Sequence, residues 1–176
     1  MFDNDEGNDI RLRKQFWNAL SDSPFMMLGL EGVEDDQTRP MSAQIDAPDD
    51  RDKEDGGQIY FFALKTEGVG KSVTSVSRAV ATFSAKDHRL FAHVHGSLVE
   101  DYNRNVIERL WSPSVAAWYK GGKNDPNLKL LRFDTENATI WEADKSATLK
   151  AAALKALFDF DPGKEHSHDH KADVTL

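Results

Sequence analysis

Apolar and polar residues change their spacing several times along this chain, and each change marks an element. In residues 8–21, Ile10, Arg13, Phe16, Trp17 and Leu20 fall on or near one helical face, and Ser21-Asp22-Ser23-Pro24 ends the run. Residues 24–32, PFMMLGLEG, form an apolar run of strand length. In residues 38–46, TRPMSAQID, Met41, Ala43 and Ile45 alternate with Ser42, Gln44 and Asp46, the two-residue period of a strand. The charged stretch APDDRDKEDGG reads as a solvated turn. Residues 58–65, QIYFFALK, are aromatic and β-branched and predict a buried strand. Residues 79–85 and 88–100 predict a hairpin about Lys86-Asp87.

Helical spacing returns in residues 103–111, with Val106, Ile107, Leu110 and Trp111 on one face and Asp101 as a candidate cap. Ser112-Pro113 reads as an N-cap followed by proline at the first helical position, opening a short helix through Tyr119 that Gly121-Gly122 stops. Residues 128–144 predict one long strand or a two-strand hairpin. Residues 146–158, rich in Ala, Leu and Lys, predict a helix. The pattern divides the chain into a domain over residues 1–158 and a loose, His-rich tail over 159–176. Strands in succession, with helices before, between and after them, indicate an antiparallel sheet or small barrel carrying helices.

A length of 176 residues suits one domain with a core that needs no covalent staple. The chain has no cysteine, which removes disulfides, thiolate metal sites and cysteine nucleophiles and fits a reducing compartment. A net charge of -8 without a basic cluster disfavours nucleic acid and anionic lipid as partners. No apolar run reaches the length of a membrane span, and the acidic start MFDNDEGND lacks the apolar core of a secretory signal. The expectation is a cytoplasmic protein with a small partner.

Residues 66–72, TEGVGKS, pose a phosphate question. A nucleotide-triphosphatase loop needs glycine five residues before the Gly of Gly-Lys-Ser, and that position holds Lys65. A weaker possibility stands beside that of a plain flexible turn. Gly68 and Gly70 free the backbone, a helix opening at this point would offer N–H groups, and Lys71 adds a charge.

The company this loop keeps is informative. TRPM is followed by IYFFA, then the lysine loop, VATFS, HGSLVEDYNRNVIERLW, AWYKGGKNDPNLKLLRF and ATIWEAD. This ordered set, over roughly residues 10–145, resembles the general stress protein 26 type of the pyridoxamine 5′-phosphate oxidase-like flavin-binding split-barrel proteins. The resemblance implies a six-stranded antiparallel split β-barrel with flanking helices, a homodimer, and flavin mononucleotide (FMN) bound at the subunit interface. It implies that Arg39, Pro40, Met41 and Ser42 line the cofactor, partly through backbone atoms, and that Phe61, Phe62 and Ala63 run along the isoalloxazine ring. It implies that Lys71 and Ser72 reach the phosphate, and that Trp111 and Trp118 sit near the site or the dimer contact. Ala63 stands where relatives commonly carry threonine. The loop before Lys71 is about two residues longer than the usual pattern, an insertion that costs the fold little and puts the phosphate role of Lys71 in question.

Such residues suit such a ligand. A phosphate monoester calls for a guanidinium or ammonium group and backbone donors, and a flavin ring for an apolar wall with backbone groups at its pyrimidine edge. The resemblance implies a flavoprotein that exchanges hydride or electrons with a small substrate, with no general acid or base assigned. The alternatives are the same barrel as a binding or interaction module without a working cofactor, or as a haem or deazaflavin binder. No metal site is expected. His93 and His95 share one strand face without an evident third ligand, and His166, His168 and His170 read as a solvated end.

Overall fold

The computed structural model describes residues 3–33, 38–47, 55–143 and 171–176. Helix α1 (Asp3–Asp22) is followed by strands β1 (Phe25–Leu30), β2 (Arg39–Asp46) and β3 (Gln58–Leu64). The one-turn helix α2 (Gly68–Ser72) leads into β4 (Ser77–Ser84) and β5 (Leu90–Glu100). Helices α3 (Arg104–Leu110) and α4 (Pro113–Ala116) precede the long strand β6 (Leu128–Glu142), and β7 (Lys171–Val174) ends the described chain. Among the described residues no helix is long and apolar enough to cross a membrane.

The strands run antiparallel in the order β3-β2-β1-β4-β5-β6-β7, and β6 also pairs with β3. That second pairing closes six strands into a barrel. Strand β6 is one element rather than a hairpin. Its first half pairs with β3 from Leu128 to Phe133, and its second half carries β7 from Ala138 to Trp141. A register shift between His95 and Gly96 lets β6 bend against β5 midway.

Alternation along the strands fills the barrel. Met26, Leu28, Ile45, Ile59, Phe61, Val94, Leu98, Leu131 and Phe133 point inward, joined by Leu12, Phe16, Trp17 and Leu20 from α1. Phe16 meets Trp17 and Phe83 edge-on, with ring centroids 5.3 and 5.7 Å apart. Each such buried ring contributes about 2–3 kcal/mol. A second cluster lies outside the barrel, where α3 and α4 cover β3 and the start of β6. It joins Tyr60, Val106, Ile107, Val115, Tyr119, Leu128 and Leu130, with Phe62, Leu110 and Trp111 packed against them.

Several expectations change. The segment after Gly-Lys-Ser is a strand, β4, so Lys71 lies in the last turn of a five-residue helix rather than at the start of a longer one. Asn103, not Asp101, caps α3, its side chain accepting from the Asn105 N–H, while Asp101 accepts from the Asn103 N–H. Ser112 caps α4 as expected, with Pro113 in the first turn, but that helix ends at Ala116. The tail is not loose throughout. Residues 171–174 form β7, with Ala172 and Val174 buried and Leu176 packed on the core. The expected helix at 146–158, the boundary at 158 and the histidines at 166, 168 and 170 lie outside the described residues.

Candidate functional site

Strands β2 and β3 pair only from Ala43↔Phe61 to Asp46↔Gln58. Beyond the Ala43↔Phe61 rung they part, and Arg39–Ser42 and Phe62–Leu64 border the opening. Each stays paired on its far side, β2 to β1 and β3 to β6. The ladder therefore fails where the two cofactor-lining segments were expected, and Met41 and Phe62 lie just past the Ala43↔Phe61 rung.

Helix α2 closes one end of this opening. Gly68 has φ +52, and a Cβ there would collide with the Arg39 guanidinium, which therefore lies flat against the glycine. Glu67 stands 4.0 Å from Arg39. Gly70 is seated directly on the Leu64 carbonyl oxygen, where no side chain fits. These contacts bring Arg39, from one end of β2, to the loop that carries Lys71 and Ser72. Lys71 is exposed and Ser72 half-buried.

The expected side chains divide by strand face. Pro40 and Ser42 point outward and are exposed, whereas Met41 packs against the barrel core. Phe61 is fully buried inside the barrel, 6.2 Å from the Phe133 ring, and Ala63 points the same way. The side chains of Phe61 and Ala63 therefore do not form a wall on the outer surface, and those positions can meet a ligand there only through their backbone. Phe62 points outward but is covered by Trp111 and Tyr119, at 5.7 and 6.4 Å. Trp111 is thus part of the second core, while Trp118 is 80% exposed. Lys71 offers charge from the C-terminal turn of α2, so the expected cradle of free N–H groups at a helix start is not what surrounds it.

The outer face of the barrel continues from Pro40 into a groove of about 440 Å³. Cross-strand rows build it. Pro40 lies beside Met27, Met27 beside Thr82 and Thr82 beside His93, while Phe91 lies beside Trp141. Phe25 is 62% exposed and Met27 43%, a large apolar surface in open solvent. The rings of His93 and His95 stack at 4.5 Å, and His95 Nδ1 lies 2.9 Å from Glu31. That hydrogen bond is the main reason the Glu31 carboxyl sits below its ordinary range. His93 Nε2 is buried without a hydrogen-bond partner among the described residues. No group of three metal-ligating side chains converges among the described residues.

Beneath Phe62, burial and then Asp101, which accepts from the Tyr60 hydroxyl at 3.3 Å, push the Tyr60 phenol up to about 12. Burial, then Asp125, raises Tyr119, and a hydrogen bond to Glu100 raises Tyr102. All three tyrosines of the chain are thus held protonated. In the unfolded chain they ionise near 10.0, so stability holds below that pH and falls as pH climbs toward 12. An ultraviolet titration of the folded protein should show tyrosinate later than in urea.

Sequence reasoning missed three features of this region. Arg39 lies over Gly68, Lys129 is buried below the loop, and β7 covers the far half of β6. The last two were visible as alternation, Lys129 in phase with Leu131 and Phe133, and Ala172 in phase with Val174 and Leu176.

Comparison with known proteins places this architecture. Residues 12–158 match the family model described as pyridoxamine 5′-phosphate oxidase like. A general stress family protein of Xanthomonas campestris pv. campestris is 45% identical, with 77% of this chain and 89% of that chain covered and a TM-score of 0.68. The general stress FMN/FAD binding protein of Xanthomonas citri is also 45% identical, covering 77% of this chain and 91% of its own, at a TM-score of 0.68. General stress protein 26 of Jannaschia sp. CCS1 is 29% identical over 94% of this chain and 99% of that one, with a TM-score of 0.71. No curated protein is similar enough to count as a match. The six-stranded barrel and the family match over most of its length agree, and the chain belongs to the pyridoxamine 5′-phosphate oxidase-like family.

Proposed function

We propose that this protein is an FMN-binding flavoprotein of the general stress type, acting as a homodimer. The observation that carries the reading is the convergence at the β2–β3 opening, where Arg39 lies over Gly68 beside the Lys71-Ser72 turn. The donor set fits the ligand. Arg39, Lys71 and Ser72 supply a guanidinium, an ammonium and a hydroxyl for a terminal phosphate. The parted backbones of Met41-Ser42 and Phe62-Ala63 supply amide and carbonyl groups for the pyrimidine edge of the ring. Contact through the backbone also explains why Ala63 can replace a threonine, since that side chain points into the barrel. The 45% identical Xanthomonas citri protein, named for binding FMN or FAD, supports a flavin as the ligand.

A second copy of the chain would cover the apolar face beside this opening. Phe25, Met27 and Trp118 suit burial at such a contact, and a group from the second copy would satisfy His93 Nε2. Bound flavin would supply hydride or electron exchange with a small substrate, and the chain would orient it and exclude water. A barrel acting as a binding module without cofactor is the second reading, favoured by the position of Lys71 at the C-terminal turn of α2.

The absorption spectrum of untagged protein tests this reading. A flavin band released by heat, together with a dimer mass in sedimentation, is expected; colourless protein that rejects added FMN favours the module. Arg39→Ala should weaken FMN about tenfold and leave riboflavin, which lacks the phosphate, nearly unchanged. Unaltered FMN affinity would remove Arg39 from the site. Fluorescence quenching of each flavin measures both.

A further inference from the structure

Among the described residues, Lys129 is the one charged side chain that is buried, at 7% exposure. It lies on β6 directly across from Ala63, and strand alternation points it inward with Leu131 and Phe133. Its Nζ donates to the Val73 carbonyl at 2.7 Å and stands 3.3 Å from Glu100 Oε2. A buried ammonium is costly unless every donor is used, and an aliphatic residue would fill the same space more cheaply. What an aliphatic residue could not do is hold that carbonyl.

Val73 is the C-cap of α2, and its N–H already donates to the Val69 carbonyl at 3.0 Å. Its own carbonyl is thus the last point at which the turn can be tied down. The other end is fixed by Gly70 on the Leu64 carbonyl and by Arg39 over Gly68. Lys71 and Ser72 lie between these two anchors. Glu100 neutralises Lys129, so the lysine adds little direct attraction for an anion at the surface.

We propose that Lys129 is a positioning residue for the phosphate grip, fixing the backbone of Lys71 and Ser72 by holding the Val73 carbonyl from inside the barrel. This rests on the flavin reading above. A lysine on a fixed backbone loses less freedom when it meets an anion than one on a loose loop. Lys129 therefore favours the phosphate of FMN without touching it, and has no effect on the ring.

The test compares FMN with riboflavin. Lys129→Met is made together with Glu100→Gln, so that the half-buried Glu100 is not left with its charge uncompensated by the lysine. The double variant should lose about tenfold in FMN affinity while riboflavin changes by less than about twofold. Amide exchange at residues 69–73 should quicken while β3 and β6 keep their protection. Lys129→Arg, with Glu100 retained, should restore the preference for FMN. A double variant that keeps the wild-type preference overturns the proposal and leaves the flavin reading intact. Equal loss of both flavins, with faster exchange throughout the barrel, also overturns it, because the role would then be general stability. Wild-type protein that binds neither flavin defeats the flavin reading and the positioning role with it.

Discussion

Replacing Gly70 by valine is expected to reduce FMN affinity by a hundredfold or more and to destabilise the fold by about 3 kcal/mol. A Cβ at this position would overlap the Leu64 carbonyl oxygen and press on the Ala63 methyl. Leu64 cannot retreat, because it ends the β3–β6 ladder opposite Leu128. Helix α2 must lift instead. Lifting it takes Lys71 and Ser72 out of place and frees Arg39 from its seat on Gly68. The phosphate grip fails while the barrel survives, so urea unfolding should remain cooperative at a lower midpoint. A variant that melts like wild type and binds FMN normally would show that α2 has no part in the site.

Deleting residues 171–176 should cost about 2–4 kcal/mol, although sequence composition alone suggests that the tail is dispensable. Ala172 and Val174 are buried, Leu176 packs on the same core, and Thr135 donates to the Leu176 carbonyl at 3.4 Å. The strand also covers the half of β6 that β3 does not reach. Removing it exposes Ala138 and Ile140 and a row of unpaired β6 backbone groups, a surface that also invites aggregation. The entropy cost of ordering these six residues, which the truncated chain no longer bears, offsets part of the loss and sets the lower end of the range. Thermal unfolding of full-length and truncated chains decides the matter, and equal midpoints would mean that β7 adds nothing to stability.

Most of the barrel was legible residue by residue. Met41, Ala43 and Ile45 alternate with polar neighbours, and QIYFFAL has nowhere to go but a sheet, so β2 and β3 follow from local pattern. The Ser112-Pro113 cap was equally plain, because a hydroxyl before proline has a local mechanism. The site was legible only through its resemblance to relatives, and then as a set of residues rather than as a geometry.

The sequence by itself determined where strands β1 to β5 run, which face of β2 turns inward, and that no thiol chemistry operates here, because side-chain alternation and composition act over a few residues. Tertiary structure alone decided where the β2–β3 ladder stops, that Arg39 lies over Gly68, that α2 ends before β4, and that the last residues close the sheet. Each of these depends on contacts between segments tens of residues apart. A glycine that looks merely flexible in the chain is, in the fold, the only residue small enough to let two backbones touch.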